Sequence, residues 1–419
     1  MNTIMNLAWK SVINRRTTAI LTILTVAISV VLLLGVERIR TQAKSSFANT
    51  ISGTDLIVGA RSGQVNLLLY SVFRIGNATN NIDWSSYEQI SHNKAVKWTI
   101  PISLGDSHRG FRVMGTNQDY FKHYRFGKKQ PLTFSAGQPF SGLFDAVIGA
   151  DVAKKLGYKI GSDMIIAHGI SDVAFARHDN LPFHVVGILS PTGTPVDRTV
   201  HVSLDAITAI HVGWESGAHI GKTPDAKALE HRHFEPGQIT AVLVGLKSKL
   251  QTFSLQRAIN NYRGEPLSAI LPGVALQELW SMMSVAEQAL MTVSVFVVVA
   301  GLLGMLSSLL TSLQERRREM AILRAMGAQP KHIFSLLISE ASGLTFVGII
   351  VGVAIVYALL GICAPIIHAN YGIQIDVQTL SVHEWALLGY VQISGIIIGF
   401  IPAIRAYRQS LSDGMTIRI

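Results

Sequence analysis

Four stretches of the chain lose almost all charge and fill with apolar residues. Between the first and second lies a long segment where apolar and polar positions mix as in a water-soluble domain. The apolar runs are Thr17 to Val36, Ala289 to Leu313, Ser342 to Cys363 and Trp385 to Ile404. A helix of about 20 residues, rising 1.5 Å per residue, crosses a hydrocarbon core of about 30 Å. No run carries a charge in its middle; Glu287, Glu340 and Glu384 sit at or near the edges. The pattern predicts transmembrane helices at 17–38, 286–313, 336–363 and 385–404. The first is read as an uncleaved span. Its apolar core is longer than that of a signal peptide, and Glu37, Arg38 and Arg40 follow it in place of a small-residue cleavage site.

The inserted segment, 39–285, reads as an α+β domain. Leu56-Ile57-Val58, Phe111 to Met114, Met164 to Ile166, Phe183 to Val186 and Ile239 to Leu246 have strand character. Asp151 to Leu156 and Leu250 to Tyr262 have apolar residues at helical spacing. Gly and Pro clusters such as Ser190 to Pro195 punctuate them. Gly213 to Pro236 has weak periodicity and reads as a long loop or a boundary between two lobes. The expected fold is therefore a membrane protein with four transmembrane α-helices and a large α+β extracytoplasmic domain inserted between helices 1 and 2.

Charge orients this arrangement. The chain of 419 residues is 49% hydrophobic and 15% charged, with a net charge of +10. Such a positive balance invites a nucleic-acid partner, but Lys and Arg beside spans have another cause, because they are retained on the cytoplasmic side. The flank 1–16 carries Lys10, Arg15 and Arg16. The segment 314–335 carries Arg316, Arg317, Arg318, Arg324 and Lys331, and the tail 405–419 carries Arg405, Arg408 and Arg418. The loop 364–384 has no Lys or Arg. Both termini and 314–335 are expected in the cytoplasm, with 39–285 and 364–384 outside. No nucleic-acid partner is expected, and membrane lipids surround the spans. The one cysteine, Cys363, lies in a span, so no disulfide staples the outer domain.

The segment after the second span carries the strongest local signal. It runs Gln314-Glu315-Arg316-Arg317-Arg318-Glu319-Met320-Ala321-Ile322-Leu323-Arg324-Ala325-Met326-Gly327-Ala328. Charge dominates its first half; Ile322, Ala325 and Met326 then form an apolar edge at i, i+3, i+4 spacing. Gly327 suits a left-handed helix stop and Pro330 the first turn of the next helix. Taken alone, the arginines are a basic flank of the kind the orientation rule leaves behind. Their continuation into an apolar-edged helix with a glycine stop reads as a docking surface.

Glu315 to Ala328 resembles the cytoplasmic signature of the MacB-like permeases, a family that includes the lipoprotein-releasing LolC and LolE proteins and, more distantly, FtsX. The order of parts is similar along nearly the whole chain: an amphipathic N-terminal helix at 1–16, one span, a large outer domain, then three spans. Asn6 to Leu24, Val147 to Gly157, Val185 to Leu189 and Phe400 to Ala406 also resemble the family. Two positions depart from it. Gln329 stands where Ser or Thr is usual, and Ser410 to Met415 replaces a Pro-containing tail motif.

The resemblance implies a permease subunit of an ABC transporter that transmits ATP-driven motion to the periplasmic domain. ATP would be bound and hydrolysed by a separate cytoplasmic ATPase, so no enzyme activity and no cofactor is expected in this chain. That ATPase would dock on Glu315, Arg316, Arg317, Arg318, Glu319, Arg324 and Gly327. A homodimer with eight spans in the bacterial inner membrane is expected. The cargo class stays open between peptides, lipoproteins, drug-like molecules and a metal-linked substrate, and a periplasmic or lipoprotein partner is a further expectation. Two alternatives differ in class. One is an FtsX-like membrane regulator of a periplasmic partner. The other is a secondary transporter, which would require ionisable groups near the bilayer midplane that the spans lack.

Other candidate chemistry is thinner. Gly221-Lys222-Thr223 has the end of a phosphate loop, but Ser216 occupies the first glycine position, Pro224 breaks the expected helix and the segment lies outside. Eleven of the fourteen histidines fall in the outer domain. His211, His219, His231 and His233 are candidate zinc ligands, against the ordinary occurrence of His in exposed loops and the absence of Cys or ordered ligand spacing. Gly348-x-x-x-Gly352 and Gly395-x-x-x-Gly399 allow close helix approach, either within the chain or between two copies.

Overall fold

The computed structural model describes residues 16–168, 181–212, 229, 232, 234–315, 317–371 and 378–408. Residues 1–15 of the predicted N-terminal helix at 1–16 and most of the tail lie outside these. The chain forms two compact units: a membrane unit drawn from residues up to Gln42, Ser284–Pro365 and the fourth span, and the inserted unit within Ala43–Met283.

The membrane unit contains four long apolar helices. They are α1 (Arg16–Thr50), α8 (Pro272–Glu315), α10 (Pro330–Tyr371) and α11 (Val382–Arg408), with the short α9 (Arg317–Ala325) between the second and third. Helices α2 to α7 belong to the inserted unit: Gln64–Leu68, Trp84–Ser91, Asp119–His123, Ala150–Leu156, Leu204–Ile210 and Thr252–Asn260. Several helices outrun the apolar stretches, which are set by bilayer thickness, whereas a helix continues while its backbone bonds are satisfied.

Lipid offers no hydrophobic drive for helix association, so the spans meet through small residues. A Cβ added at Gly348 would stand 2.7 Å from Val26 Cβ, and one at Gly352 would stand 2.8 Å from Val30 Cβ. The first glycine pair is thus the socket for α1. The second receives α10, since a Cβ at Gly399 would meet Ala341 Cβ at 2.7 Å and one at Gly395 would meet Thr345 Oγ1. Both pairs are used within the chain. Ser29 Oγ lies 2.5 Å from the position of a Cβ on Gly301 and donates to the Val297 carbonyl at 3.2 Å, bringing α8 onto α1. Val26, Val30, Leu33 and Leu34 fill the space against Ile349, Val356, Leu388 and Val391.

The inserted unit is α+β. Its strands are β1 (Leu56–Ala60), β2 (Ile82–Asp83), β3 (Val96–His108), β4 (Phe111–Thr116), β5 (Arg125–Phe126), β6 (Gln130–Pro131), β7 (Phe134–Gly137) and β8 (Asp145–Ile148). They continue as β9 (Asp163–Met164), β10 (Ala167–His168), β11 (Phe183–Leu189), β12 (Thr199–Ser203), β13 (Gln238–Ile239), β14 (Ala241–Leu246) and β15 (Leu267–Ile270). The main sheet runs β15-β1-β14-β3-β4-β12-β8-β11-β7.

The strand β3 divides this sheet into two lobes. Its first half, Val96 to Ile102, pairs with β14, and its second half, Ser103 to His108, pairs with β4. Pro101 lies just before the exchange, opposite Val242 of β14. A proline has no N–H for a ladder bond, so it is tolerated where one side of a strand is an edge. Its carbonyl accepts a bond from Thr116 Oγ1 at 2.8 Å. One lobe packs Val58, Val242 and Val244 under Ile90, Leu255 and Ile259. The other packs Val113, Ile148, Val185 and Val202 with Val152, Ala206 and Ile210. All residues of β1 and β14 are buried, which accounts for their unbroken apolar runs.

The close glycine contacts give a paired prediction. Gly348→Ala places a methyl into Val26 and should lower stability by about 1–3 kcal/mol, the usual cost of overpacking. Gly343→Ala, on the same helix with nothing within 4 Å, should leave it unchanged or raise it by up to about 1 kcal/mol through helix propensity. Thermal unfolding of the purified chain in detergent reads both; equal melting points would show that the spans do not pack through Gly348.

Candidate functional site

Two regions of the membrane unit concentrate chemistry. The first is α9 and the turn after it. Met320 is buried among Leu313 of α8, Ile333 and Leu337 of α10, and Ala403 and Ala406 of α11, and Ala321 beside it in sequence is also buried. One short helix is thus seated on the ends of three spans. Its other apolar edge points outward: Ile322 is 58% exposed and Met326 72%. The spacing i, i+4 places them one above the other, and the exposed Ala325 lies beside them.

The stop is built as the glycine signal implies. Gly327 has φ +98° and its N–H bonds the Arg324 carbonyl at 3.0 Å, while the Met326 N–H bonds Ile322 at 3.0 Å. A side chain at that φ is strained, so glycine fits. The Gln329 departure is met by a neighbour: its N–H donates to His332 Nδ1 at 3.2 Å, while the His332 N–H donates to the Gln329 carbonyl at 2.9 Å. His332 takes the back-bonding role that Glu or Gln has in a capping box.

Of the predicted coupling residues, Glu315 is exposed at the end of α8 and Arg324 is partly buried on α9. The backbones of Arg317, Arg318 and Glu319 are helical. The side chains of those three, and all of Arg316, lie outside the described residues.

The second region was not singled out in the sequence as a site. At the opposite end of the spans, Arg38 and Glu384 form an ion pair, Nε to Oε1 at 2.7 Å, with each side chain 6% exposed. Arg38 Nη2 also donates to Tyr357 Oη at 3.0 Å, and the guanidinium lies over the Tyr357 ring, 4.7 Å from its centroid. Tyr357 donates to the Gln378 carbonyl at 3.0 Å. Glu384 accepts from the Ser381 N–H at 2.7 Å while its own N–H donates to Ser381 Oγ at 3.2 Å, a capping box that opens α11. Beside this pair, Glu37 accepts from Arg40 at 2.8 and 3.1 Å, His383 Nε2 approaches Glu37 at 3.8 Å, and Arg40 reaches Glu287 of α8 at 3.9 Å. A S-x-x-E search would have found Ser381 and Glu384; nothing in sequence spacing joins them to Arg38.

The histidine candidates fare unevenly. His211 is described: its Nδ1 bonds the Ile207 carbonyl at 2.6 Å and its Nε2 lies 3.9 Å from Asp106. His219, His231 and His233 lie outside the described residues, as does the Gly221-Lys222-Thr223 stretch. Among the described residues no three His, Cys, Asp or Glu side chains group as a metal ion requires. Two other histidines are core residues. His108 Nδ1 donates to the Ile165 carbonyl at 2.6 Å, Nε2 accepts from Tyr158 at 2.8 Å, and burial pushes its pKa down. His201 is fully buried, Nδ1 donating to the Val147 carbonyl at 3.2 Å, and burial brings its pKa to about 3.

A depressed histidine pKa means that the fold holds the neutral ring. Its stabilisation is complete above the unfolded value near 6.5 and is lost as pH falls from there toward 3. His201 alone should remove on the order of 2 kcal/mol between pH 6.5 and 5. The His201→Gln variant, which keeps a donor for Val147, should flatten that part of the pH dependence. Tryptophan-monitored unfolding of the full chain at several pH values measures it; an unchanged slope would show that His201 is not the group.

Comparison with known proteins gives these regions a family context. The MacB-like periplasmic core domain profile matches residues 19–262, more than half of the chain, and the FtsX-like permease C-terminal profile matches 291–411. The pyoverdine export ATP-binding/permease protein PvdT of Pseudomonas fluorescens is 25% identical over 308 residues, 71% of this chain and 41% of that protein. The macrolide export ATP-binding/permease protein MacB of Nitrobacter winogradskyi is 23% identical over 331 residues, 77% of this chain and 46% of the relative. The chain spans under half the length of these curated relatives. The periplasmic region of MacB from Actinobacillus actinomycetemcomitans aligns with a TM-score of 0.35 at 11% identity, covering 55% of this chain and 94% of that one. The extracellular domain of YknZ from Gram-positive bacteria aligns with a TM-score of 0.31 at 15% identity, covering 52% and 99%. With four membrane-spanning helices and a MacB-like periplasmic core, this is a multi-pass inner-membrane protein whose large domain lies in the periplasm. The chain belongs to the MacB-like family of FtsX-type ABC transporter permeases.

Proposed function

We propose that this chain is the permease subunit of an ABC export system and that a separate cytoplasmic ATPase, which binds and hydrolyses ATP, docks on α9. The supporting observation is the double attachment of that helix. Met320 is buried against residues of α8, α10 and α11, while Ile322 and Met326 are exposed. A push on α9 is thereby delivered to three spans at once. The chain acts as a homodimer, and the motion reaches the periplasmic domain. The export role draws on the relatives' names, pyoverdine export and macrolide export, and the cargo is a small molecule, peptide or lipoprotein handled on the periplasmic side.

Ile322→Asp and Met326→Asp leave the seated face of α9 intact and put charge into the exposed edge. Each should weaken ATPase binding by about 3 kcal/mol, more than 100-fold in Kd, since an apolar contact is replaced by a buried unpaired carboxylate. Arg317→Glu and Glu319→Lys should act through like-charge contacts, and Gly327→Val through strain at its positive φ. Recovery of the complex with the purified ATPase and stimulation of ATP hydrolysis are the measurements. If all of these variants bind and stimulate as the parent does, the segment is a topogenic flank and the coupling reading fails.

A further inference from the structure

The inserted unit holds a cleft of about 570 Å³, a size that suits a small organic molecule. It lies beside the point where β3 changes partners, for Pro101 and Thr116, bonded to each other there, both line it. Trp84 and Glu88 stand on α3 at i, i+4 spacing, one turn apart on one face of the helix. Asp205, in the first turn of α6, enters from the other lobe. Glu235 lies on the segment that returns from that lobe to β13.

The chemistry of the cleft is one-sided. Against three carboxylates the described lining sets one cation, Arg232. Among the described residues the Glu88 and Glu235 carboxylates have no hydrogen bond or ion pair. The Asn117 side-chain oxygen, also at the cleft, is buried and without a hydrogen-bond partner among the described residues. A buried acceptor in that state is costly and is relieved by a donor. The rest of the lining is apolar and aromatic. Phe140 is 4% exposed, and Trp84 and Phe234 are half-buried. Aromatic faces attract cations.

The wall that carries Phe140 is already fixed. Gln118 Nε2 donates to the Phe140 carbonyl at 3.1 Å, and Asp145 accepts from the Ser141 and Gly142 N–H groups at 2.9 and 2.6 Å. Little ordering of this wall therefore opposes binding. A metal ion is a poor occupant, since among the described residues no three His, Cys, Asp or Glu side chains converge on one point. Carboxylates spread around an apolar cleft suit a larger cation instead.

We propose that this cleft binds an amphipathic organic cation, a small molecule with a positive charge, an N–H donor and a flat apolar body. Glu88 and Glu235 attract the charge, Asn117 accepts the N–H, and Trp84 and Phe140 receive the body. As a cargo class this deepens the export reading and rests on it. Binding itself needs neither ATP nor the ATPase.

The test uses the full chain alone in non-ionic detergent. It is titrated with ethidium, which has all three features, and with fluorescein, an anion of similar size. Fluorescence anisotropy should show saturable binding of ethidium and none of fluorescein. Glu88→Gln and Glu235→Gln should each weaken ethidium binding roughly 3- to 10-fold, and together more than either alone. Both side chains are exposed, so neither change should disturb folding. Trp84→Leu should weaken binding by about 5-fold. Glu278→Gln removes an exposed acid of α8 outside the cleft and should change nothing. Ethidium that binds no better than fluorescein would overturn the proposal. So would an affinity unchanged by both cleft variants, or an equal loss in Glu278→Gln. None of these readouts involves the ATPase, so their failure is distinct from a failure of the docking variants.

Discussion

A guanidinium beside a membrane must find its counter-charge inside the protein or return to water. Arg38 does the former, and the arrangement at the periplasmic end of the spans follows from that requirement. Glu384 is aligned by the capping box that begins α11, so the residue that opens the fourth span also neutralises the first. Tyr357 closes the third side and donates its own hydroxyl hydrogen bond to the Gln378 carbonyl, fixing the chain just before α11. Deeper in the bilayer, small residues take over, and α1 lies in a socket floored by Gly348 and Gly352. The spans are thus bound by charge where water is near and by close packing where it is absent, as the two environments demand.

At the cytoplasmic end the same helices meet a different need. A helix lying across three span ends must be apolar where it sits and must stop before the next span turns back. Met320 meets the first demand and Gly327 the second. What remains, Ile322 and Met326, is apolar surface with no structural use in the described part of this chain. That leftover is the physical basis for placing an ATPase there.

Much of this was legible in the sequence. The four spans follow from length and apolarity, and the stop at Gly327 and the outward Ile322–Met326 edge follow from helical spacing. Strand character at 56–58, 111–114, 183–186 and 239–246 follows from apolar patterning, whereas of the 164–166 run only Met164 is in a strand, Ile165 and Ile166 lying between β9 and β10. What stayed hidden depends on contacts between distant residues. Arg38 and Glu384 are 346 positions apart, and each looks alone like a flanking charge. The strand β3 was hidden by Pro101 and Gly105, which ordinarily punctuate; it tolerates the proline near an exchange of partners that only the full sheet reveals. Spacing gave the glycine pairs but not their occupants. His201 and His108 could not be told from exposed histidines until burial was known.

The central claim is that α9 is the surface through which an ATPase drives the spans. Hydrogen–deuterium exchange of the reconstituted full chain, with and without its purified ATPase, tests it without altering a residue. The account predicts that the ATPase slows exchange at amides 320–327, the exposed helix and its glycine stop, and does not protect the periplasmic strands of 96–116. Protection absent from 320–327, or confined to other cytoplasmic residues, would contradict it.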